Sequence, residues 1–168
     1  MKTRIIASVT LLLTVCTAAL AGEGDTYAGI IAGVLYPRVL NINAVYQKEL
    51  SYGNAYELYI DYQTQWNTCP DCGRVCTHSF WKSRYAYTAG AAYKKAIWKR
   101  KNTSVRLRIG GDLGASNRKF AASIEAGFEY AITMIEGTQF VFSQKNQLMF
   151  FGKPQWSIGA LAGVRIRL

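Results

Sequence analysis

QWSIGALAGVRIRL, residues 155–168, decides the fold, because its apolar residues occupy every second position. One face of the extended chain carries Trp156, Ile158, Ala160, Ala162, Val164, Ile166 and Leu168, and the other carries Ser157, Gly159, Gly163, Arg165 and Arg167. Successive side chains of a β-strand point to opposite sides, so one face is apolar throughout. Such alternation up to the last residue, with an aromatic residue near its start and arginines on the hidden face, is typical of the closing strand of an outer-membrane β-barrel.

The N-terminus has the three parts of an export signal. Lys2 and Arg4 supply a positive start, residues 5–15 supply an apolar core, and residues 19–21 supply a small-residue cleavage site. We therefore expect residues 1–21 to be a signal peptide.

The chain that follows the signal, residues 22–168, is expected to form one transmembrane barrel domain. No stretch in it approaches the roughly 20 apolar residues that a membrane helix requires, so if this chain enters a membrane, it must cross as strands. A lipid anchor on Cys16 is the alternative at the N-terminus. It is disfavoured because Val15, just before it, is larger than the residue usual there.

Eight runs of alternating residues, separated by turn residues, follow the signal. They cover residues 27–35, 39–50, 55–66, 84–97, 103–114, 121–132, 138–150 and 155–168. Connections after even-numbered runs are tight, whereas those after odd-numbered runs vary, and residues 67–83 form a long one. This arrangement predicts an all-β fold, an eight-stranded antiparallel up-and-down outer-membrane β-barrel with both termini in the periplasm and the long loop outside the cell.

The seventh run is the least regular of the eight. Phe140 and Phe142 keep the apolar phase, but Gln144 and Asn146 do not, which predicts a β-bulge there.

A secreted lipocalin-like barrel is the alternative fold, because it would turn the same apolar face inward. Two features favour the membrane barrel. Aromatic residues gather at the ends of the runs, as they do at lipid headgroups. Glycines share the polar face, which suits the crowded interior of a narrow barrel, and they are Gly110, Gly114, Gly127, Gly159 and Gly163.

The polar face also carries acids and bases in complementary columns. The acids are Glu57, Asp61, Glu125 and Glu129, and the bases are Arg84, Arg106, Arg108, Arg165 and Arg167. They could line a selective pore or include a catalytic acid pair. In so narrow a barrel, however, buried charges must pair or carry a heavy desolvation cost. We therefore predict an interior ion-pair network that seals the barrel.

The long loop contains the segment CPDCGRVCTH, with Cys69, Cys72, Cys76 and His78. These residues could bind zinc, or Cys69 and Cys72 could form a redox pair. The Cys-to-His spacing is shorter than in common zinc modules, so we favour a loop disulfide with one thiol left over. We expect no cofactor.

Catalysis is not favoured by the sequence. His78 is the only histidine, and Ser79 directly follows it, so in an extended segment the two side chains would point apart. A lipid-modifying barrel enzyme is therefore the weakest of the functional hypotheses, and we expect no enzyme activity.

The chain is basic, with a formal net charge of +10 at pH 7. Every outer loop has at least one cation, and we expect these to contact lipopolysaccharide phosphates; they are Arg38, Arg74, Lys82, Arg118, Lys119 and Lys153. Lys99, Arg100 and Lys101 lie in an inner turn, where they could contact an acidic partner or remain solvated. No aromatic and basic surface suited to direct nucleic-acid binding can be traced.

Three segments carry a family resemblance: NTSVRLRIGGDLGASN from Asn102, GFEY from Gly127, and QKNQLMFFGKPQWSIGALAGVRIRL from Gln144. Over about half of the chain, they resemble the TraO family of conjugative-transposon (conjugal transfer) proteins. The resemblance implies an exported barrel that acts with other conjugation-apparatus proteins at the outer membrane. It implies no catalytic residues, and the cysteine segment is not part of it.

These observations favour an outer-membrane barrel that is a non-catalytic accessory of conjugative transfer. A general small outer-membrane barrel for envelope stability or adhesion is the alternative. Both need only the barrel, so the sequence does not separate them.

Overall fold

The computed structural model describes residues 24–65, 84–117, 119–135, 137–150 and 155–168. Its strands are β1 (Thr26–Tyr36), β2 (Val39–Glu49), β3 (Ala55–Gln65), β4 (Arg84–Arg100), β5 (Thr103–Ser116), β6 (Lys119–Ile135), β7 (Thr138–Phe150) and β8 (Gln155–Arg167). A short 3-10 turn, Ser51–Gly53, joins β2 to β3. Within the described residues, no helix is long and apolar enough to cross a membrane. The predicted signal peptide lies outside the described residues.

The strands form one closed antiparallel barrel in which each strand pairs with its neighbours in sequence. β8 closes the barrel by pairing with β1, with Ala162 opposite Ala32. The predicted eight-stranded up-and-down barrel is therefore confirmed. β4 and β6 are longer than predicted, since they continue through Arg100 and Ile135.

The irregular positions of the sheet lie elsewhere than predicted. The register shifts between Ala96 and Trp98 in β4, and between Thr133 and Ile135 in β6. β7 pairs without interruption on both sides, so the predicted bulge in that strand is wrong. Gln144 and Asn146 keep the alternation and belong to the outer face in spite of their polarity.

Burial is inverted relative to a soluble protein, as β6 illustrates. Ile124 and Phe128 point outward and are 55% and 53% exposed, whereas Glu125 and Glu129 point inward and are 3% and 1% exposed. Water would disfavour an exterior of this kind, but the hydrocarbon of a bilayer favours it. The lipocalin-like alternative, which requires an apolar interior, is therefore wrong.

The barrel has two distinct ends. We call the end with residues 24–26, 50–54, 101–102 and 167–168 the terminal end, and the opposite end, where β1 meets β2, the loop end. Aromatic side chains mark both ends on the outer surface. Tyr36 and Trp156 are exposed at the loop end, and Tyr52, Trp98 and Tyr130 are exposed at the terminal end.

Candidate functional site

The interior of the barrel is filled by charged side chains. Among the described residues, five acids and five bases are buried at inward positions: Glu57, Asp61, Asp112, Glu125 and Glu129, and Lys94, Arg106, Arg108, Lys145 and Arg165. They come from β3 to β8, because alternation on each strand sends every second side chain inward. The equal numbers leave this interior set with no net formal charge.

These side chains form a continuous series of contacts between alternating acids and bases. In order from the terminal end, its members are Glu49, Arg106, Glu129, Lys94, Glu57, Arg108, Glu125, Lys145 and Asp61. We call this set the ion-pair chain. Each buried charge in it has an opposite charge beside it, which offsets the cost of removing it from water.

Lys94 joins two carboxylates near the middle of the ion-pair chain. Its ammonium group contacts the carboxylates of Glu57 and Glu129, and it donates a hydrogen bond of 2.8 Å to Gln47 Oε1. Arg165 Nη2 lies 2.8 Å from Glu129 Oε1, so the same carboxylate binds bases from β4 and β8. The contacts tie these strands together at this level.

A second cluster closes the barrel nearer the loop end. Lys145 Nζ lies 2.7 Å from Asp61 Oδ2 and 3.0 Å from Glu125 Oε2. Gln63 Nε2 donates to Asp61 Oδ2 at 2.9 Å and to Gln147 Oε1 at 2.6 Å. β3 and β7, which supply most of these groups, lie on opposite sides of an eight-stranded barrel, so their contacts span its interior.

Tyr59 fills the space between the two clusters. Its ring is 3% exposed and lies 4.7 Å from the guanidinium carbon of Arg108. Gly90 makes room for this ring, since a Cβ there would lie 2.6 Å from the Tyr59 hydroxyl oxygen. The Tyr59 ring, lying against β4 at Gly90 with a cation over its face, thus forms an aromatic plug that fills part of the interior.

Little free volume remains among these groups. A cavity of about 10 Å³ lies between the ion-pair chain and Leu161, and it has room for one water molecule at most. By contrast, the terminal end opens into a vestibule of about 740 Å³. Its lining includes Asp25, Glu49, Lys99, Lys101, Arg106 and Arg167. The barrel is thus an open vestibule with a filled interior behind it.

The structure brings together seven of the nine charged residues that the sequence assigned to the interior. Arg167 differs: its side chain is 56% exposed and pairs with Asp25 at 3.0 Å. It lies at the last strand position, where the interior widens into the vestibule, so its assignment to the buried network is wrong. The side chain of Arg84 lies outside the described part of the chain.

The predicted interior network left out four charged members of the interior. They are Glu49, Lys94, Asp112 and Lys145. Strict alternation would have found Lys145, which shares the inward phase with Val141 and Ser143. It was obscured because the outward neighbours of Lys145, Gln144 and Asn146, are polar as well.

Most residues that were assigned to the loops lie outside the described residues. This holds for Cys69, Cys72, Cys76, His78, Arg74, Lys82, Arg118 and Lys153. Arg38 lies in the turn between β1 and β2, and Lys119 is exposed at the start of β6. Within the described ranges, no group of three or more His, Cys, Asp or Glu side chains could hold a metal ion.

Comparison with known proteins gives structural relatives only. No family model matches the sequence, and no curated protein matches it significantly. The chain is similar to the outer membrane protein Ail of Yersinia pestis, with a TM-score of 0.54 and 12% identity over 87% of this chain and 100% of that one. It is also similar to a major outer membrane protein from Thermus thermophilus, with a TM-score of 0.59 and 10% identity over 87% of this chain and 100% of that one.

At these identities, the likeness concerns the fold. The closed barrel, its polar interior and its exposed apolar exterior define an outer-membrane β-barrel, and they place the chain in the outer membrane.

Proposed function

We propose that this chain is a non-catalytic accessory of a conjugative transfer apparatus, and that it acts through its surfaces. The observation that carries the proposal is the ion-pair chain, which fills the part of the interior that the structure describes with paired charges. A barrel filled in this way has its lipid face and its two ends for contact with other molecules.

The assignment to conjugation rests on the resemblance of residues 102–117, 127–130 and 144–168 to the TraO family. Two of these segments supply much of the interior described above. Arg106 and Arg108 belong to the first segment, and Lys145 and Arg165 belong to the last. In this proposal, the resemblance reflects a shared sealed barrel and a shared role beside the transfer machinery.

The terminal end is the surface best suited to a protein partner. Arg100 and Lys101 are exposed there, and Arg100 lies over the ring of Trp98 at 5.6 Å. With both termini in the periplasm, this end would face the periplasmic parts of the apparatus, and its cations would favour an acidic partner.

Deletion of the gene in a donor strain tests the proposal. We expect the frequency of conjugative transfer to fall at least tenfold, with unchanged growth and detergent resistance, and to recover when the wild-type gene is restored. Unchanged transfer together with increased detergent sensitivity would instead support the envelope-stability alternative.

A triple variant tests whether the cations at the terminal end make the contact with the partner. Lys99→Gln, Arg100→Gln and Lys101→Gln together should lower transfer without changing the amount of folded barrel. Lys119→Gln, at the loop end, is the control and should transfer normally. Equal transfer by the triple variant and the control would exclude the terminal cations as a contact.

A further inference from the structure

The outer face of β7 carries two amide side chains among apolar neighbours. Gln144 and Asn146 both point outward and are partly exposed, and β7 passes through them without a bulge. Gln144 is the central residue of a strand of 13 residues, so it lies near the middle of the membrane-spanning length. Lipid headgroups at either end of the strand are too distant to solvate it.

The two amides satisfy only part of each other's hydrogen bonding. Asn146 Nδ2 donates to Gln144 Oε1 and to the backbone oxygen of Ala126, both at 3.2 Å. Within the described residues, this leaves the Nε2 donors of Gln144 and the Oδ1 acceptor of Asn146 without a partner. Polar groups left unpaired in hydrocarbon cost free energy, so this face is unfavourable against lipid alone.

The shape of the surface beside the amides is also distinctive. A groove of about 300 Å³ lies beside the amides, and its lining includes Gln144, Ala160, Phe128 and Phe142. Phe142 itself is 52% exposed and projects from the same strand. The face therefore has a projecting ring, a hollow of similar scale, a free donor and a free acceptor side by side.

We propose that this β7 face is the interface of a homodimer in the membrane. A two-fold axis along the membrane normal brings equal depths of two copies together, so it sets mid-membrane amides against mid-membrane amides. Each copy then offers Gln144 donors to the other copy's amide oxygens, and its Phe142 ring to the other copy's groove. A carboxamide is both donor and acceptor, so the same patch on two copies is self-complementary. Polar side chains stabilise contacts between membrane segments in this way.

The first test compares association of the full chain, purified from outer membranes, by sedimentation equilibrium in detergent micelles. Gln144→Leu with Asn146→Leu should raise the dimer dissociation constant at least tenfold. The matched control is Leu58→Ala with Ile60→Ala on the opposite strand, β3, and it should stay within twofold of wild type. Heat-modifiable mobility on gels verifies that each variant is folded.

The second test is cross-linking in intact outer membranes, in a chain whose Cys69, Cys72 and Cys76 are replaced by serine. Phe142→Cys should give a dimer with a short bismaleimide, and Ile60→Cys, exposed at the middle of β3, should not. A wild-type chain that is monomeric in both tests would overturn the proposal. So would a dimer that survives the leucine variant, or one that the β3 control weakens equally. Cross-linking to a different protein at Phe142→Cys would also overturn it.

Discussion

Lys145 Nζ lies 2.7 Å from Asp61 Oδ2, with both side chains almost fully buried, and the two residues belong to opposite strands of the barrel. A contact between β7 and β3 has to cross the barrel axis. The pair therefore links opposite walls of the barrel through its interior, and the other members of the ion-pair chain add further contacts toward the terminal end. A filled interior explains how a barrel of eight strands can be charged inside and still be closed.

The Lys145–Asp61 pair predicts a large loss of stability when its base, Lys145, is replaced. Lys145→Met leaves the carboxylates of Asp61 and Glu125 without this cation, and loss of one partner of a buried pair costs about 3–5 kcal/mol. Urea unfolding of the barrel in lipid vesicles, followed by tryptophan fluorescence, measures the change in the free energy of unfolding. Ser143→Ala, the preceding inward position of β7, is the control and should change it by far less. Equal losses in the two variants would contradict the role given to the pair.

The plug formed by Tyr59 predicts different effects at two glycines. A Cβ at Gly90 would lie 2.4 Å from the backbone oxygen of Gly111 and 2.6 Å from the Tyr59 ring, so Gly90→Ala should destabilise the barrel by about 1–3 kcal/mol. Gly111→Ala is the matched control, since a Cβ there would come no closer than 3.1 Å to the backbone oxygen of Ser123. The same unfolding measurement applies, and a Gly90 variant as stable as the Gly111 variant would show that both the ring and the Gly111 backbone can move aside.

The inverted burial predicts that a charge on the outer face blocks assembly. Phe128 is outward and lies opposite Leu107 in the sheet, so Phe128→Arg puts a cation in hydrocarbon at about 2–4 kcal/mol near the midplane. The amount of heat-modifiable barrel in the outer membrane should fall sharply. Phe128→Leu keeps the face apolar and should assemble normally. A folded chain that stays soluble without detergent, in either form, would contradict a membrane-facing exterior.

The long loop after β3 remains a prediction of topology, because Cys69, Cys72 and Cys76 lie outside the described residues. With the termini in the periplasm, a loop after an odd-numbered strand lies outside the cell. A membrane-impermeant maleimide, added to intact cells after mild reduction, should therefore label these thiols, and serine replacements should leave barrel mobility unchanged. Labelling that requires an opened outer membrane would invert the topology.

The sequence predicts most of the fold because alternation with a period of two fixes both the strands and their faces. Glu57 and Arg108 could be assigned to the interior in this way, since their neighbours on the outer face are apolar. Lys145 could not be assigned in this way, because its outward neighbours Gln144 and Asn146 are also polar and do not show which face of β7 points inward. Lys94 was missed because Lys95 follows it, and alternation between two lysines does not show which one is buried.

Contacts across the barrel are beyond this kind of reasoning. Neighbouring strands can be paired from their turns, but nothing in the residues near Asp61 indicates that Lys145, on the opposite wall, reaches it. The exposure of the Arg167 side chain could not be predicted either. Its phase predicts the side of the sheet correctly, but the depth at which the filled interior gives way to the vestibule depends on the size of the side chains around it.

The most direct measurement for the account as a whole is single-channel recording of the purified full chain in a planar bilayer. The ion-pair chain and the Tyr59 plug predict no steady conductance at any applied potential that the bilayer tolerates. Insertion is verified in the same preparation by heat-modifiable mobility after recovery from vesicles. A stable, reproducible open channel in the wild-type chain would contradict the sealed interior, and with it the proposal that the barrel acts only through its surfaces.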